Sequence, residues 1–265
     1  MKKLLILFSV ISASVFSSCT STSDNPILPE NNLADKIIGK WIVADGDGKS
    51  VVTNEKFVLN FVSPTKAYMS ASFGHNPTAG MPWIRQSEND VVISGNKMTL
   101  TDKYDQTTTS VNVYTIRSIN DKEFFATQKF SLMVNGIETL TKEYQVRYVK
   151  VNVDYTESIL GKWQGRCTTK NSVFDDGQEH QWEFKADGTY VYYVKDGGLW
   201  THNSNAKNEY FVAGNLLCFR WIDNDLDNRE WWEITIENGV MKWTAMRLKD
   251  DGNTYKVDFE MKKVE

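Results

Sequence analysis

The sequence predicts an all-β protein made of two tandem eight-stranded up-and-down antiparallel barrels. Two observations predict this class. Short runs of β-branched and aromatic residues alternate with turn residues along the chain after residue 33. One phrase, Ile-Ile-Gly-Lys-Trp at 37–41, returns as Ile-Leu-Gly-Lys-Trp at 159–163. The first observation gives the strands, and the second gives the duplication.

The strand predictions depend on period-2 alternation bounded by turn residues. Runs such as KFVLNF and EFFATQKFSLMV in the first half, and HQWEF and REWWEITIE in the second, have this character. The pairs Asp187-Gly188, Gly214-Asn215 and Asn238-Gly239 predict hairpin turns, because these residue types tolerate positive φ. Helical character is confined to about one turn before each copy of the repeated phrase.

The repeat extends beyond the phrase itself. Residues 91–100 align with 210–219, and the final run at 143–151 aligns with the final run at 254–264, in the same order. This pattern indicates one ancestral unit of about 115 residues, present twice and differing by loop deletions. Two units are too few for a solenoid, so each is expected to close on itself. We therefore predict domains at 33–151 and 152–265.

The N-terminus is predicted to be a lipoprotein signal. Residues 1–18 combine a Lys-Lys start, an apolar stretch and two serines, and Cys19 follows where cleavage would occur. Lipidation of Cys19, with palmitate among the acyl chains, would anchor the chain, and residues 19–32 would serve as a flexible tether. An ordinary secretory signal followed by a stray cysteine is the alternative. The membrane leaflet stays open.

Composition and motifs argue against several function classes. The net charge of −4 disfavours nucleic acid as a partner. The stretch 223–228, DNDLDN, resembles the start of a calcium loop but lacks its glycine and its final acid, so it reads better as an acidic hairpin loop. The three histidines have no ligand spacing, and no nucleophile motif is present. We expect no metal, no cofactor and no enzymatic activity.

The phrase around Gly39 and Trp41, repeated at Gly161 and Trp163, resembles the start of the first strand in the lipocalin superfamily. It is particularly similar to the lipocalin-like domains of outer-membrane lipoproteins in the Bacteroidetes. In this interpretation glycine permits a tight turn at the closed end of the barrel, and tryptophan fills that end. The four residues are therefore predicted to be structural.

The resemblance also implies a basic residue of the last strand packed over each tryptophan. Arg147 is the candidate in the first domain, and Arg247 or Lys262 in the second. At the level of function, the resemblance implies an outer-membrane, lipid-anchored protein that binds a small apolar or amphipathic molecule in a barrel. The alternative is a surface adhesion, glycan-binding or inhibitor module with packed barrels, acting through its loops and outer-face aromatics. No protein partner is predicted.

Six of the nine tryptophans follow residue 180, and alternation predicts which of them point inward. Trp231 falls on the opposite, outer face, where it could stack on a sugar or a protein. The inward set either fills a core or lines a cavity, and both interpretations stay open. The candidate ligand-lining residues are Trp182, Phe184, Phe219, Trp221, Trp232 and Trp243.

Two cysteines follow Cys19, and the expected compartment permits a disulfide between them. Cys167 falls on the first strand of the second domain and Cys218 several strands later, so the two are not expected on neighbouring strands. A bridge requires Cα atoms within about 7 Å. The sequence therefore favours two separate thiols.

Overall fold

The structure is a computed structural model that describes residues 33–44, 56–72, 84–202, 207–223, 226–248 and 253–265. The predicted signal, Cys19 and the tether lie outside these residues. Within them, no helix is long and apolar enough to cross a membrane. One short helix, α1, precedes seventeen strands. In order they are α1 Leu33–Lys36, β1 Gly39–Ala44, β2 Lys56–Ser63, β3 Lys66–Ser72, β4 Ile84–Ser94, β5 Lys97–Lys103, β6 Thr108–Ile119, β7 Glu123–Val134, β8 Ile137–Val151, β9 Gly161–Cys167, β10 His180–Phe184, β11 Tyr190–Asp196, β12 Leu199–His202, β13 Lys207–Ala213, β14 Leu216–Asp223, β15 Leu226–Glu237, β16 Val240–Leu248 and β17 Thr254–Val264.

The all-β prediction is confirmed. Strands β1 to β8 pair in chain order, every neighbour is antiparallel, and β1 pairs with β8 to close the first barrel. The turn predictions at Gly188, Gly214 and Gly239 also hold, with φ values of 81°, 68° and 74°. Closure removes the open sheet edges that short strands would otherwise expose.

The second lobe is a curled sheet of nine strands, in the order β12-β11-β10-β9-β17-β16-β15-β14-β13. The additional strand, β12, arises because Gly197 and Gly198 both have positive φ (54° and 88°) and fold the chain back on β11. The curl is completed by a bridge between Thr189 and Glu209. β12 therefore pairs with the C-terminal half of β11, residues 193–196. Only the N-terminal end of β11 meets β13.

The two lobes pack against each other through their outer faces. Ile42, Val58 and Val151 of the first barrel belong to the hydrophobic cluster that contains the core of the second lobe. Lys56 of β2 is fully buried and forms an ion pair with Glu233 of β15. At Gly214 an added Cβ would lie 2.7 Å from a Val151 methyl, so this turn lies directly against the end of β8. The junction is therefore a packed apolar interface that also contains an ion pair whose lysine is fully buried.

The interior of the first barrel contains a tyrosine pair that makes its stability sensitive to alkali. Tyr114 and Tyr148 are buried, and their hydroxyl oxygens lie 3.2 Å apart. Burial raises the pKa of Tyr114 to about 12, and it raises the pKa of Tyr148 well above its usual value. Both side chains are therefore held in their neutral form when the barrel is folded.

Raising the pH from 8 to about 11.5 is expected to destabilise the first barrel. An unfolded tyrosine ionises near pH 10. The stabilisation that comes from burying a neutral Tyr114 is complete below that pH, and it is lost as the pH rises towards the folded pKa of about 12. Ionisation of Tyr114 alone should lower the free energy of unfolding by about 2 kcal/mol at pH 11.5. Urea unfolding at the two pH values measures this loss, and Tyr114→Phe should reduce it. An unchanged pH dependence in the variant would contradict the assignment.

Candidate functional site

The two copies of the repeated phrase have the same local geometry. Gly39 and Gly161 have φ values of 118° and 101°, which L side chains rarely adopt. The indole nitrogens of Trp41 and Trp163 each donate a 2.6 Å hydrogen bond to the carbonyl four residues earlier. Both tryptophans are buried, and each satisfies its polar atom within its own closed barrel end.

The basic residue over each tryptophan is not the one predicted. Lys150 lies 5.0 Å from the Trp41 ring centroid, and Lys263 lies 5.3 Å from that of Trp163. The prediction of Arg147 is wrong, because that side chain forms an ion pair with Glu123. Both lysines are direct cross-strand neighbours of the tryptophans, which is why they reach the rings. A shared Lys-Val pair ends the last strand of each repeat, and this signal could have identified them.

The candidate ligand-lining aromatics form one cluster inside the second lobe, which we call the aromatic core. Trp243 lies at its centre and is 2% exposed. Rings of β10, β14, β15 and β17 surround it, with centroids 4.7 to 6.5 Å away. Trp221 is partly buried at the margin of the cluster. The aromatic core consists of Trp182, Phe184, Phe219, Trp232, Trp243 and Phe259.

The aromatic core contains an unpaired polar atom. Among the described residues, Nε1 of Trp243 is buried and has no hydrogen-bond partner. A buried N–H without an acceptor costs about 1–3 kcal/mol, and most such groups in proteins are paired. The neighbouring Trp232 shows the ordinary solution, since its Nε1 donates to Glu230 at 3.1 Å. Trp243 therefore offers an unused donor in an otherwise apolar site.

Asp176, His180 and Tyr192 lie beside Trp182 of the aromatic core, at the end of the second lobe away from Gly161. Nε2 of His180 lies 3.1 Å from the Asp176 carboxylate, and Nδ1 lies 2.6 Å from the Tyr192 hydroxyl. The strand register places His180 opposite Gly165, four residues along β9 from the closed end at Gly161. The rings of His180 and Tyr192 stack, and Tyr192 also lies 5.3 Å from Trp182.

Electrostatics around His180 favour a charged Asp176 and a neutral Tyr192. Burial alone would raise the pKa of Asp176, but hydrogen bonds from the Gln178 amide and from His180 outweigh it and hold that pKa below its usual value. Burial raises the pKa of Tyr192 to about 12, and the Asp176 charge acts in the same direction. The carboxylate is thus an acceptor, and the phenol keeps its proton.

Arg247 and Glu230 lie against Trp232 of the aromatic core. The Arg247 guanidinium lies 4.5 Å from the Trp232 ring centroid, donates to the Trp231 carbonyl at 2.8 Å, and is 3.6 Å from Glu230. Burial lowers the pKa of Arg247, an effect that the Glu230 charge opposes. The polar residues around the aromatic core, which we call the polar rim, are Asp176, His180, Tyr192, Glu230 and Arg247.

The expectation that Trp231 is an exposed stacking surface is wrong. Alternation places it on the outer face as predicted, but only 3% of it is exposed. Lys56 of the first barrel lies 4.7 Å from its ring centroid, and Arg247 lies 5.0 Å away. The lobe junction covers this residue, so it is not available to a glycan or a protein.

The first barrel has a different interior. Apolar side chains surround Trp41, whereas buried polar side chains appear towards the opposite end, among them Asn89, Asp102 and Ser110. An open recess of about 510 Å3 lies outside this barrel, beside the β6–β7 turn. Nη1 of Arg147 has no partner among the described residues. The recess is lined by Asn120, Asp121, Lys122, Glu123, Arg147 and Val149.

The described residues contain no group of three or more His, Cys, Asp or Glu side chains that could hold a metal ion. In the acidic stretch 223–228, the Asp227 carboxylate accepts hydrogen bonds from Arg220 and Arg229, which occupy its oxygens. Cys167 and Cys218 are both buried, and no disulfide joins them. His75 lies outside the described residues.

No protein-family model matches the chain, and no curated protein matches it. Among solved structures, a double mutant of the vaccine antigen Transferrin Binding Protein B from Haemophilus parasuis Hp5 matches with 10% sequence identity and a TM-score of 0.23. The match covers 86% of this chain and 59% of that one. At this TM-score the likeness carries no functional conclusion.

The polar rim is the part of the site that sequence reasoning missed. The three histidines have no metal-ligand spacing, but His180 alternates with Trp182 and Phe184 on the inward face of β10. That alternation could have placed His180 inside the lobe. Its contact with Tyr192 depends on the β10–β11 register, and its contact with Asp176 depends on a loop conformation that no sequence period predicts.

Proposed function

We propose that the chain is a non-enzymatic, lipid-anchored outer-membrane binding protein, and that the opening of its second lobe takes a small amphipathic ligand. The apolar part of the ligand lies against the aromatic core, and its polar part meets the polar rim. In small-molecule sites, aromatic side chains usually supply most of the contact and a few polar groups fix the orientation of the ligand.

The observation that carries the proposal is the unpaired N–H of Trp243. In a core that serves only for packing, this position would be expected to hold an apolar ring, or the indole N–H would be expected to have an acceptor. A ligand that brings an acceptor to Nε1 removes the cost. Access requires Trp182 to change its rotamer, because its ring lies 4.7 Å from that of Trp243. Trp182 is 8% exposed and borders the polar rim.

The chemistry of the polar rim supports binding rather than catalysis. A nucleophilic oxygen requires a lowered pKa or an adjacent base that withdraws its proton. Burial instead raises the pKa of Tyr192 to about 12. Glu230 and Arg247 are held by each other and by Trp232 and the Trp231 carbonyl, which leaves them arranged as an orienting pair.

The proposed location is based on the N-terminal sequence. Cleavage before Cys19 and acylation there would tether both lobes to the outer membrane through residues 19–32. The surface-adhesion alternative loses its main support, because the outer-face tryptophan that favoured it lies in the lobe junction.

The deciding experiment is native mass spectrometry on the lipidated protein, gently extracted from its own cells and compared with its denatured mass. The proposal expects an excess mass that is lost on denaturation and that identifies the ligand. Unchanged mass in preparations from several growth conditions would refute the proposal of a resident small molecule.

A pair of tryptophan variants tests the role of the Trp243 indole. Trp243→Phe and Trp163→Phe remove the same ring volume from the same lobe, but only Trp163 loses a hydrogen bond, the one to the Ile159 carbonyl. In the ligand-free protein, Trp163→Phe should therefore lower the free energy of unfolding by about 1–2 kcal/mol more than Trp243→Phe. Urea unfolding measures both.

The same pair separates stability from binding. The co-purified mass should be reduced in Trp243→Phe and retained in Trp163→Phe. Equal retention in the two variants would show that the Trp243 N–H does not contact the ligand.

A further inference from the structure

The chain Asp176–His180–Tyr192 fixes the position of three protons, and this determines what Tyr192 offers to a ligand. Asp176 is held as a carboxylate, which only accepts hydrogen bonds. The nitrogen that faces it, Nε2 of His180 at 3.1 Å, must therefore carry the proton. In the neutral imidazole the other nitrogen, Nδ1, is then an acceptor.

The state of His180 determines the direction of the Tyr192 hydroxyl. Since Nδ1 of His180 accepts, the 2.6 Å contact requires the Tyr192 hydroxyl to donate into it. A phenol has one proton, so the oxygen of Tyr192 has only lone pairs left for a ligand. The opposite side of the polar rim contains both an acceptor and a donor. The Glu230 carboxylate accepts from Trp232, and the Arg247 guanidinium directs donors to Glu230 and to the Trp231 carbonyl.

We infer that the polar rim recognises a hydroxyl group, and that the ligand of the second lobe is an amphiphile whose hydroxyl donates a hydrogen bond to Tyr192. The inference rests on the proposed function and deepens it. A hydroxyl suits this position because it can donate to the remaining lone pairs of the Tyr192 oxygen.

Two isomeric ligands test this recognition on the purified full-length protein. 1-Decanol and methyl nonyl ether have the same atoms, but only the alcohol can donate a hydrogen bond. At pH 8 the alcohol should bind about 3- to 10-fold more tightly than the ether. Quenching of tryptophan fluorescence reports both affinities.

Matched tyrosine variants provide the control. Tyr192→Phe should abolish the discrimination between the isomers and leave binding of the ether unchanged at pH 8. The adjacent Tyr193, whose hydroxyl donates to Glu183 on the outer face at 2.9 Å, should be replaceable by Phe without effect on either ligand. Equal binding of both isomers by the wild type and by Tyr192→Phe would overturn hydroxyl recognition while leaving the proposed apolar binding intact.

Two further measurements separate failure of this inference from failure of the proposed function. If neither isomer binds, the inference is overturned, whereas the proposed function is decided separately by the co-purified mass. The side-chain 15N spectrum of His180 needs no ligand, and it should show the neutral Nε2-protonated tautomer at pH 8. The Nδ1-protonated tautomer would overturn the inference directly, and Asp176→Asn should weaken the preference for Nε2.

Discussion

Gly165→Ala is expected to unfold the second lobe or to leave it only marginally stable. An added Cβ would lie 1.9 Å from the Glu260 carbonyl oxygen and 2.6 Å from the Met261 Cα. Both are backbone atoms of β17, the strand that pairs with β9, so a side-chain rotation cannot relieve the clash. Overpacking usually costs about 1–3 kcal/mol, and this contact should exceed that range because two paired strands must separate. Whole domains are stable by only about 5–15 kcal/mol.

Urea unfolding followed by tryptophan fluorescence measures this loss, since the aromatic core lies in the affected lobe. Gly95→Ala is the matched control. Its Cβ would meet nothing within 4 Å, so only its positive φ of 59° should contribute, at about 1–2 kcal/mol. Equal losses in the two variants would show that β9 and β17 adjust to the extra methyl group, and that their close approach is not required.

Features that follow from local sequence were predicted well. Alternation along β10, β14, β15 and β16 assigned the inward aromatics, because a side-chain period of 2 leaves only two faces to choose between. The repeated phrase also indicated the equivalent positions of Trp41 and Trp163, whose indole bonds prove identical in length. These predictions required no knowledge of which strands lie in contact.

Features that depend on contacts between distant segments were missed. Trp231 is on the predicted face, yet it is buried because a different lobe covers that face. The strand β12 was missed because the turn at Gly197 and Gly198 folds a segment of only four residues, too short for a periodic signal. Lys150 was overlooked because its contact with Trp41 follows from the β1–β8 register, which only barrel closure sets.

Removing the charge of Lys56 is expected to destabilise the lobe junction strongly. Lys56 is fully buried, pairs with Glu233 across the junction, and lies 4.7 Å from the Trp231 ring centroid. Lys56→Met would leave the Glu233 carboxylate in an interface without this counter-charge. Breaking a fully buried ion pair from one side costs about 3–5 kcal/mol, and the loss here should lie at or below the lower end of that range because a quarter of the Glu233 side chain is exposed. Urea unfolding of the full-length chain measures the change.

The double variant Lys56→Met with Glu233→Leu distinguishes the loss of the ion pair itself from the cost of leaving the Glu233 carboxylate without Lys56. It should recover much of the lost stability, because apolar groups of similar volume can replace a buried pair with little loss. Lys66→Met is the control. Lys66 pairs with Glu88 on the exposed face of β3 and β4, where water screens the charges, and no measurable loss is expected. If Lys56→Met behaves like Lys66→Met, the charge pair does not hold the lobes together, and the apolar contacts of Ile42, Val58 and Val151 suffice.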